Sequence, residues 1–543
     1  MSNLGFQAVY SLINSIDRAV CERAFLPDDA ETATGRITTI ESDRPLVDFD
    51  IIALSISFEN DYPNLLTIFD KAGLPLRSDD RGPPFPLVLA GGVACFLNPE
   101  PIAPFIDAFL IGEAEVMLTR LIESFDPDMD RSIALRTLAR GLPGFYVPRF
   151  YEAVYDPGGA LARFSPSDGV PDKIRRVYVE DLSKVSTCTT ILTPDTIFDH
   201  TYLIEVARGC GHGCRFCSAG YIYRPPRFRP PDLLESSAAR GVSLTDTIGL
   251  LGAAVSDLPD IGQFCEALNR QGARVSFSSL RADALSPEIV SALRSSRTKT
   301  ATIAPDAGSR RMRDVINKGI SEDAILYAAE TLVENGIPNL KLYFMIGLPT
   351  ETMKDVEAIT ALCKKIKHRF LRSSRIRKRI GTITVSLNCF VPKPFTPFQW
   401  SAMDDIKTLK RKIRKIKDGL KKVANVRVHA DVPRWAYIQA LFSRGDRRVA
   451  DMLELAHHNH GNWAKTLKAS PVNPDYYVLR ERSPDELFPW DFIDHGIFKS
   501  FLWKEYENAL EGKSSPPCPA GGPPKDSTKD MIEACTRCGV CGR

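Results

Sequence analysis

At 543 residues the chain is longer than one ordinary domain, and length alone predicts about three or four domains unless one is a large barrel. Hydrophobic residues at 44% and charged residues at 25% exclude a disordered or membrane-embedded chain. A formal net charge of +3 excludes a global field that would gather nucleic acid, so a polyanionic partner needs local patches. The first twenty residues lack a basic start and carry Asp17 where a secretory segment needs an unbroken apolar run. With no run near the roughly 18 to 20 apolar residues of a membrane span, the expected location is the cytoplasm. The 13 cysteines bunch in two places, which suits metal ligation better than a disulfide framework.

In chain order, β-rich runs at 49–58, 87–90 and 108–111 alternate with helix-compatible segments, the pattern of a small parallel α/β domain. Gly91-Gly92 and Gly112 end two of these runs, either as turns or as close approaches to a ligand, and turns are the commoner use. A Pro-, Gly- and Asp-rich stretch at 156–172 predicts a linker or hairpin edge. From Tyr202 six β-like runs follow, at 202–207, 247–251, 274–278, 300–303, 340–346 and 382–389, each with a plausible helix after it. Such βαβ units in series predict a full or partial barrel, whose chemistry gathers at the carboxy-terminal strand ends. Those ends carry cysteines, Gly252-Ala253, Ser279 and Arg281, Asp306 to Ser309, Gly347-Leu348-Pro349, and residues 392–394. Beyond Trp400 the composition turns helical, and the Pro- and Gly-rich stretch at 514–524 predicts a flexible tail.

The segment Arg208-Gly-Cys-Gly-His-Gly-Cys-Arg-Phe-Cys217 follows the first barrel run and spaces Cys210, Cys214 and Cys217 by three and then two residues. Zinc sites usually pair cysteines two by two; three thiolates instead hold three irons of a cubane and leave the fourth open. Gly209, Gly211 and Gly213 supply positive-φ positions and backbone N–H groups aimed at sulfur. With Phe216 before the last cysteine, this loop resembles the signature of the radical S-adenosylmethionine (SAM) superfamily. The resemblance implies a partial (β/α) TIM-like barrel and a 4Fe-4S cluster on Cys210, Cys214 and Cys217, with SAM bound at the open iron. It further implies cleavage of SAM to a 5′-deoxyadenosyl radical, with a reductant such as flavodoxin or ferredoxin as electron donor. By the same resemblance Phe216, Gly347 and Leu348 lie near adenine, and Gly252-Ala253 replaces a Gly-Gly-Glu segment without its acid. Ser279 and Arg281 hold the SAM carboxylate or ribose, and Asp306 stands where relatives carry a longer acid or amide.

Over nearly its whole length the chain resembles radical SAM proteins with an N-terminal cobalamin-binding-like domain. The stretches that carry this are Val88 to Gly92, Asn98-Pro-Glu-Pro101, Val255-Ser-Asp257, Val391 to Trp400, Ser443-Arg-Gly-Asp-Arg-Arg448 and the terminal cysteines. The implied organisation is a Rossmann-like domain at 1–150, a linker at 151–195, the radical SAM barrel at 196–400, a helical C-terminal extension at 401–510 and a flexible tail with a cysteine cluster at 511–543. In relatives Met1-Ser-Asn-Leu-Gly5 falls just after the first strand of that domain, so one strand is expected to be missing. Cobalamin is an open question for the sequence: the first histidine is His200, and the Asp-x-His-x-x-Gly motif is absent.

Cys535, Cys538 and Cys541 repeat at ferredoxin-like gaps, and Cys518 is the candidate fourth ligand of a second cluster or a zinc site. Cys21, Cys95, Cys265, Cys363 and Cys389 read as core residues. The basic runs at 364–379 and 407–422 suit RNA or a solvated helix face, and the apolar stripe Ile406, Leu409, Ile413, Ile416 and Leu420 favours the face. His457, His458 and His460, near Asp451 and Glu454, suggest a metal or, more simply, a polar helix end. Three functions follow: SAM-dependent radical chemistry with methyl transfer if cobalamin binds, methylthiotransferase-like modification of tRNA or protein, and a zinc- or iron-binding RNA-binding protein without catalysis. The second is weakened because only Cys21 and Cys95 lie in the N-terminal domain, too few for the extra three-cysteine cluster.

Overall fold

The computed structural model describes residues 2–27, 35–194, 196–277, 280–376, 380–521 and 535–541. It divides into one unit of Met1–Leu4, Glu180–Tyr437 and Ile497–Arg543, and another of Gly5–Val179 and Ile438–Gly496. The expected extension at 401–510 is therefore split between the two, because its middle part is held by side chains of the amino-terminal domain.

In the second of these units β1 (Ile51–Ser55), β2 (Leu87–Gly91) and β3 (Ala108–Leu110) are parallel, and β4 (Phe145–Tyr146) adds an antiparallel edge. Val88, Leu89, Ala90, Ala108 and Phe109 are all buried, the continuous apolar run of a sheet covered on both faces. The stretch at 156–172, expected as a linker or hairpin edge, supplies the turn and second strand of a hairpin, Tyr151–Tyr155 against Leu161–Pro166. Two sequence motifs far apart in the chain meet here. Asn98 Nδ2 donates to Ser443 O (3.2 Å) and Gly445 O (2.7 Å), and Arg447 Nε donates to Glu100 Oε2 at 2.8 Å. The Asn-Pro-Glu-Pro and Ser-Arg-Gly-Asp-Arg-Arg stretches are thus two halves of one buried clasp. At the histidine-rich helix end Asp451 and Glu454 are both taken by Arg77, each at 2.7 Å, and among the described residues no metal-ligand group forms there.

In the other unit β5 (Thr201–Glu205), β6 (Thr247–Leu251) and β7 (Arg274–Phe277) form one parallel sheet. A second parallel sheet takes β8 (Thr300–Asp306), β9 (Asn339–Ile346), β10 (Ile383–Cys389) and β11 (Val426–Ala430) in that order. A parallel bridge between Leu280 and Ile303 joins the two, giving seven parallel strands in succession, one more than the sequence suggests. This is the partial (β/α) barrel. Alternation along β9 buries Leu340, Leu342, Phe344 and Ile346 and leaves Lys341, Tyr343 and Met345 half-exposed, as Thr384, Ser386 and Asn388 are on β10. The described parts of both basic runs lie mainly on helices, Met353–Ile376 and Ile406–Leu420, and residues 377–379 of the first lie outside the described residues. Lys365 pairs with Glu322, and Arg369 and Arg372 pair with Glu330. The helix Ile406–Leu420 buries Leu409, Ile413, Ile416 and Leu420.

Candidate active site at the cysteine loop

The loop after β5 is framed from outside. The Arg215 N–H donates to Ile316 O at 3.0 Å, and its fully buried guanidinium donates to Asp314 O (3.1 Å) and Val315 O (2.9 Å) and pairs with Glu505 at 3.1 Å. Asn317 Nδ2 donates to Gly213 O at 3.1 Å, and His212 Nε2 lies 2.5 Å from Asp257 Oδ2. Each buried donor would cost free energy if left unmet, so these bonds fix the loop's path. Of the three loop glycines only Gly209 has positive φ, 84°. Gly213 is small for another reason: a Cβ there would stand 3.0 Å from Asn317 Nδ2.

Inside that frame backbone N–H groups are aimed at sulfur, as expected: His212 donates to Cys210, and Ala219 and Gly220 donate to Cys217. Burial pushes the Cys214 thiol up to about 12 and the Cys210 thiol up to about 11, and the nearby Cys217 charge adds to both. Free thiols in this loop therefore keep their protons at neutral pH, and metal binding must displace them. Lys318 Nζ pairs with Asp306 Oδ2 at 2.6 Å and draws both Cys214 and Cys217 downward. Burial pulls Lys318 itself down, but Asp306 and Cys214 outweigh it and hold the ammonium above its ordinary range. Arg281, bound to Asp283 at 2.9 Å, is the second cation acting on Cys210 and Cys214. Asp306 sits at φ 60° where β8 shifts register, a backbone state that costs about 1–3 kcal/mol and persists where its surroundings hold it.

Arg281 and Asp306 are thus brought to the cysteines, and Phe216 is half-buried within the loop. Gly252 is flanked by Val206 and Val255, each about 3.3–3.4 Å from where a Cβ would stand. Ala253 is exposed at the end of β6. Ser279 lies outside the described residues. Gly347 gives its N–H to Glu351 at 2.8 Å and Leu348 is 3% exposed, so this N–H and this side chain are committed to the protein itself. Lys318 and Asn317 are the residues that sequence reasoning missed. The only local signal was the turn-forming Asn317-Lys318-Gly319 after a short helix.

With this barrel and loop in view, comparison with known proteins gives two family matches. Residues 5–148 match the family described as radical SAM proteins, N-terminal, and residues 204–363 match the radical SAM superfamily. An uncharacterized protein of Methanocaldococcus jannaschii is 32% identical over 462 residues, covering 84% of this chain and 88% of its own. The anaerobic magnesium-protoporphyrin IX monomethyl ester cyclase of Rubrivivax gelatinosus is 25% identical over 284 residues, 50% of this chain and 47% of its own. Among solved structures, the radical SAM methyltransferase TsrM of Kitasatospora setae aligns over 71% of this chain and 70% of its own, with 13% identity and a TM-score of 0.44. The chain belongs to the radical SAM superfamily. It is an enzyme of that class, whose cofactors are a 4Fe-4S cluster and SAM.

The loop fits that cluster. Three soft thiolate donors come from one segment, N–H groups are directed at the Cys210 and Cys217 sulfurs, and two cations stand close enough to offset their charge. Among the described residues no three His, Cys, Asp or Glu side chains are set around a single metal ion. A cubane, which gives each thiolate its own iron, does not ask for that. The strand ends of the amino-terminal sheet are different. A Cβ on Gly92, at φ 107°, would stand 2.4 Å from Ile56 O, and one on Gly112 would stand 2.3 Å from Val177 O. Both glycines therefore admit the protein's own backbone, which is their turn-like use.

Proposed function

We propose that this enzyme uses Cys210, Cys214 and Cys217 to hold the cluster at which SAM is bound, and applies radical chemistry to a polar organic substrate. The observation that carries this is the loop itself: three thiols on one segment, backbone N–H groups at Cys210 and Cys217, and Lys318, Asp306 and Arg281 beside them. When bound, the cluster supplies one electron to SAM, yielding methionine and a 5′-deoxyadenosyl radical that takes hydrogen from substrate. The protein's part is positional. Arg215 and Asn317 fix the loop, while Lys318 and Arg281 supply positive charge next to it. The half-exposed faces of β9 and β10 put Lys341, Tyr343, Thr384, Ser386 and Asn388 in register across the sheet, which favours a substrate with hydrogen-bonding or anionic groups.

Cobalamin-dependent methyl transfer is the finer form of this reading. The parallel sheet β1 to β3 supports it, and the absence of histidine before His200 means that the cobalt would have no histidine ligand from that stretch. Anaerobically reconstituted protein is expected to absorb broadly near about 400 nm and to release 5′-deoxyadenosine with SAM and a low-potential reductant; Cys214→Ser should release none. Colourless protein holding only zinc would overturn the reading. Incubation with hydroxocobalamin tests the finer form: a retained corrinoid spectrum supports it, and none removes it.

A further inference from the structure

The carboxy-terminal cysteines are not a loose tail. From Ser515 to Gly521 the chain is bonded to the cysteine loop and to the residues that frame it. The Ser515 N–H donates to Asn317 Oδ1 at 2.9 Å, and the Ser515 hydroxyl meets Arg215 Nη2 at 3.1 Å. Then the Cys518 N–H donates to Gly211 O at 2.8 Å. Gly211 and Gly521 touch so closely that a Cβ on Gly211 would stand 2.2 Å from Gly521 Cα. That contact explains a loop glycine whose φ is not positive.

Cys518, Cys535 and Cys538 line one cavity together with Tyr221, Arg224 and Phe501. Cys541 is near enough for Cys518, Cys538 and Cys535 to act on its thiol. Arg224, 5% exposed, ties this cavity to the first loop: its Nε donates to Gly220 O at 2.6 Å, and its guanidinium hydrogen-bonds Cys538. The Ala520 N–H is directed at the Cys518 sulfur, the same N–H to sulfur pattern as at Cys210 and Cys217. Residues 535–541 adopt neither helix nor strand. Their bonds to the rest of the chain include Phe498 N–H to Cys538 O at 3.0 Å and Arg537 Nη2 to Pro516 O at 3.1 Å. Ordering an irregular loop costs about 1–2 kcal/mol per residue in backbone entropy, and ligation of a metal by its three cysteines would add to these bonds in offsetting that cost.

We infer that Cys518, Cys535, Cys538 and Cys541 hold a second iron–sulfur cluster of the 4Fe-4S type, with a thiolate on every iron. The gaps of two and two at Cys535, Cys538 and Cys541 are those of a bacterial ferredoxin loop, and Cys518, in the same cavity, supplies the fourth thiol. Because no iron is left without a thiolate, this cluster has no position for SAM, unlike the first. Arg224 donating to a ligand sulfur is expected to raise its potential.

The test is iron, sulfide and Mössbauer analysis of anaerobically reconstituted full-length protein. The wild type is expected to carry about eight irons per chain, and the Cys518→Ser, Cys535→Ser, Cys538→Ser, Cys541→Ser variant about four. The companion variant Cys210→Ser, Cys214→Ser, Cys217→Ser leaves the tail intact. It should keep about four irons, in an EPR signal that SAM does not alter. Iron-free companion protein, a second site filled with zinc alone, or a disulfide among the four cysteines would each overturn the inference. If instead the first loop binds no iron, wild type and companion variant carry equal iron, so that failure is told apart from this one.

Discussion

The sheet of β1 to β4 with its clasp and the cysteine loop handle buried charge in opposite ways. In the unit of Gly5–Val179 and Ile438–Gly496, fully buried Asp107 faces Arg81 at 3.4 Å, Arg149 at 3.3 Å and Arg131 at 3.6 Å, and also accepts the Val88 N–H. Glu100, 1% exposed, is met by Arg447 and by the Tyr146 hydroxyl. Both acids are answered by guanidinium from the same unit. Around the cysteine loop the balance is reversed: three thiols and Asp306 crowd together beside Lys318 and Arg281, and the Cys217 charge raises the cost of ionising Cys210 and Cys214. A region that neutralises its own buried charge is a scaffold; one that gathers thiols under N–H groups is completed by a metal that bears the positive charge.

That contrast can be broken from the scaffold side. The largest expected effect is that of Arg447→Met, which strands Glu100 in the interior: unfolding should become easier by about 3–5 kcal/mol in denaturant titration, while reconstituted iron per folded chain stays the same. A loss under about 1 kcal/mol would mean that the clasp between the two motifs is not structural. Gly92→Ala is next, at about 1–3 kcal/mol, because positive φ and Ile56 O both oppose a Cβ; a neutral result would reopen Gly92 as a ligand approach. His495 offers a pH handle on the same unit. Burial first, and then the charge of Arg176, holds its imidazole down to about 3, with Nε2 at 2.8 Å from Phe96 O. An unfolded histidine titrates near about 6.5, so between those values the unfolded state binds the extra proton and stability falls as pH is lowered. The expected slope from this residue is about 1.4 kcal/mol per pH unit, and His495→Gln should flatten the Tm-versus-pH curve between about pH 6 and 4. An unchanged curve would count against it. Smallest is Lys410→Glu with Lys417→Glu on the exposed face of the helix Ile406–Leu420, expected to move stability by no more than about 0.5 kcal/mol. A larger loss would show that face to be engaged.

The barrel was legible because its strands are continuous β-branched and apolar runs closed by Gly, Pro or polar residues, and β5 to β10 fall within a few residues of the expected runs. The seventh strand was not, since Val426-Arg-Val-His-Ala430 is a short edge strand whose alternate residues are charged or polar. Cys210, Cys214 and Cys217 announce themselves by spacing, whereas Lys318 and Asn317 matter only through contacts that folding creates. The clasp of Asn98 to Pro101 with residues 443–448 shows the same limit. Both motifs were visible, but their partnership spans some 350 residues of sequence and leaves no local periodicity.

The central claim is that the first cysteine loop holds a cluster with one iron open to SAM. The direct measurement is the low-temperature EPR spectrum of dithionite-reduced protein lacking the four carboxy-terminal cysteines, recorded without SAM and with it. The predicted result is a reduced 4Fe-4S signal whose g-values shift when SAM is added and which disappears on Cys214→Ser. A cluster signal that SAM leaves unchanged, or one that survives the loss of Cys214, would contradict the account.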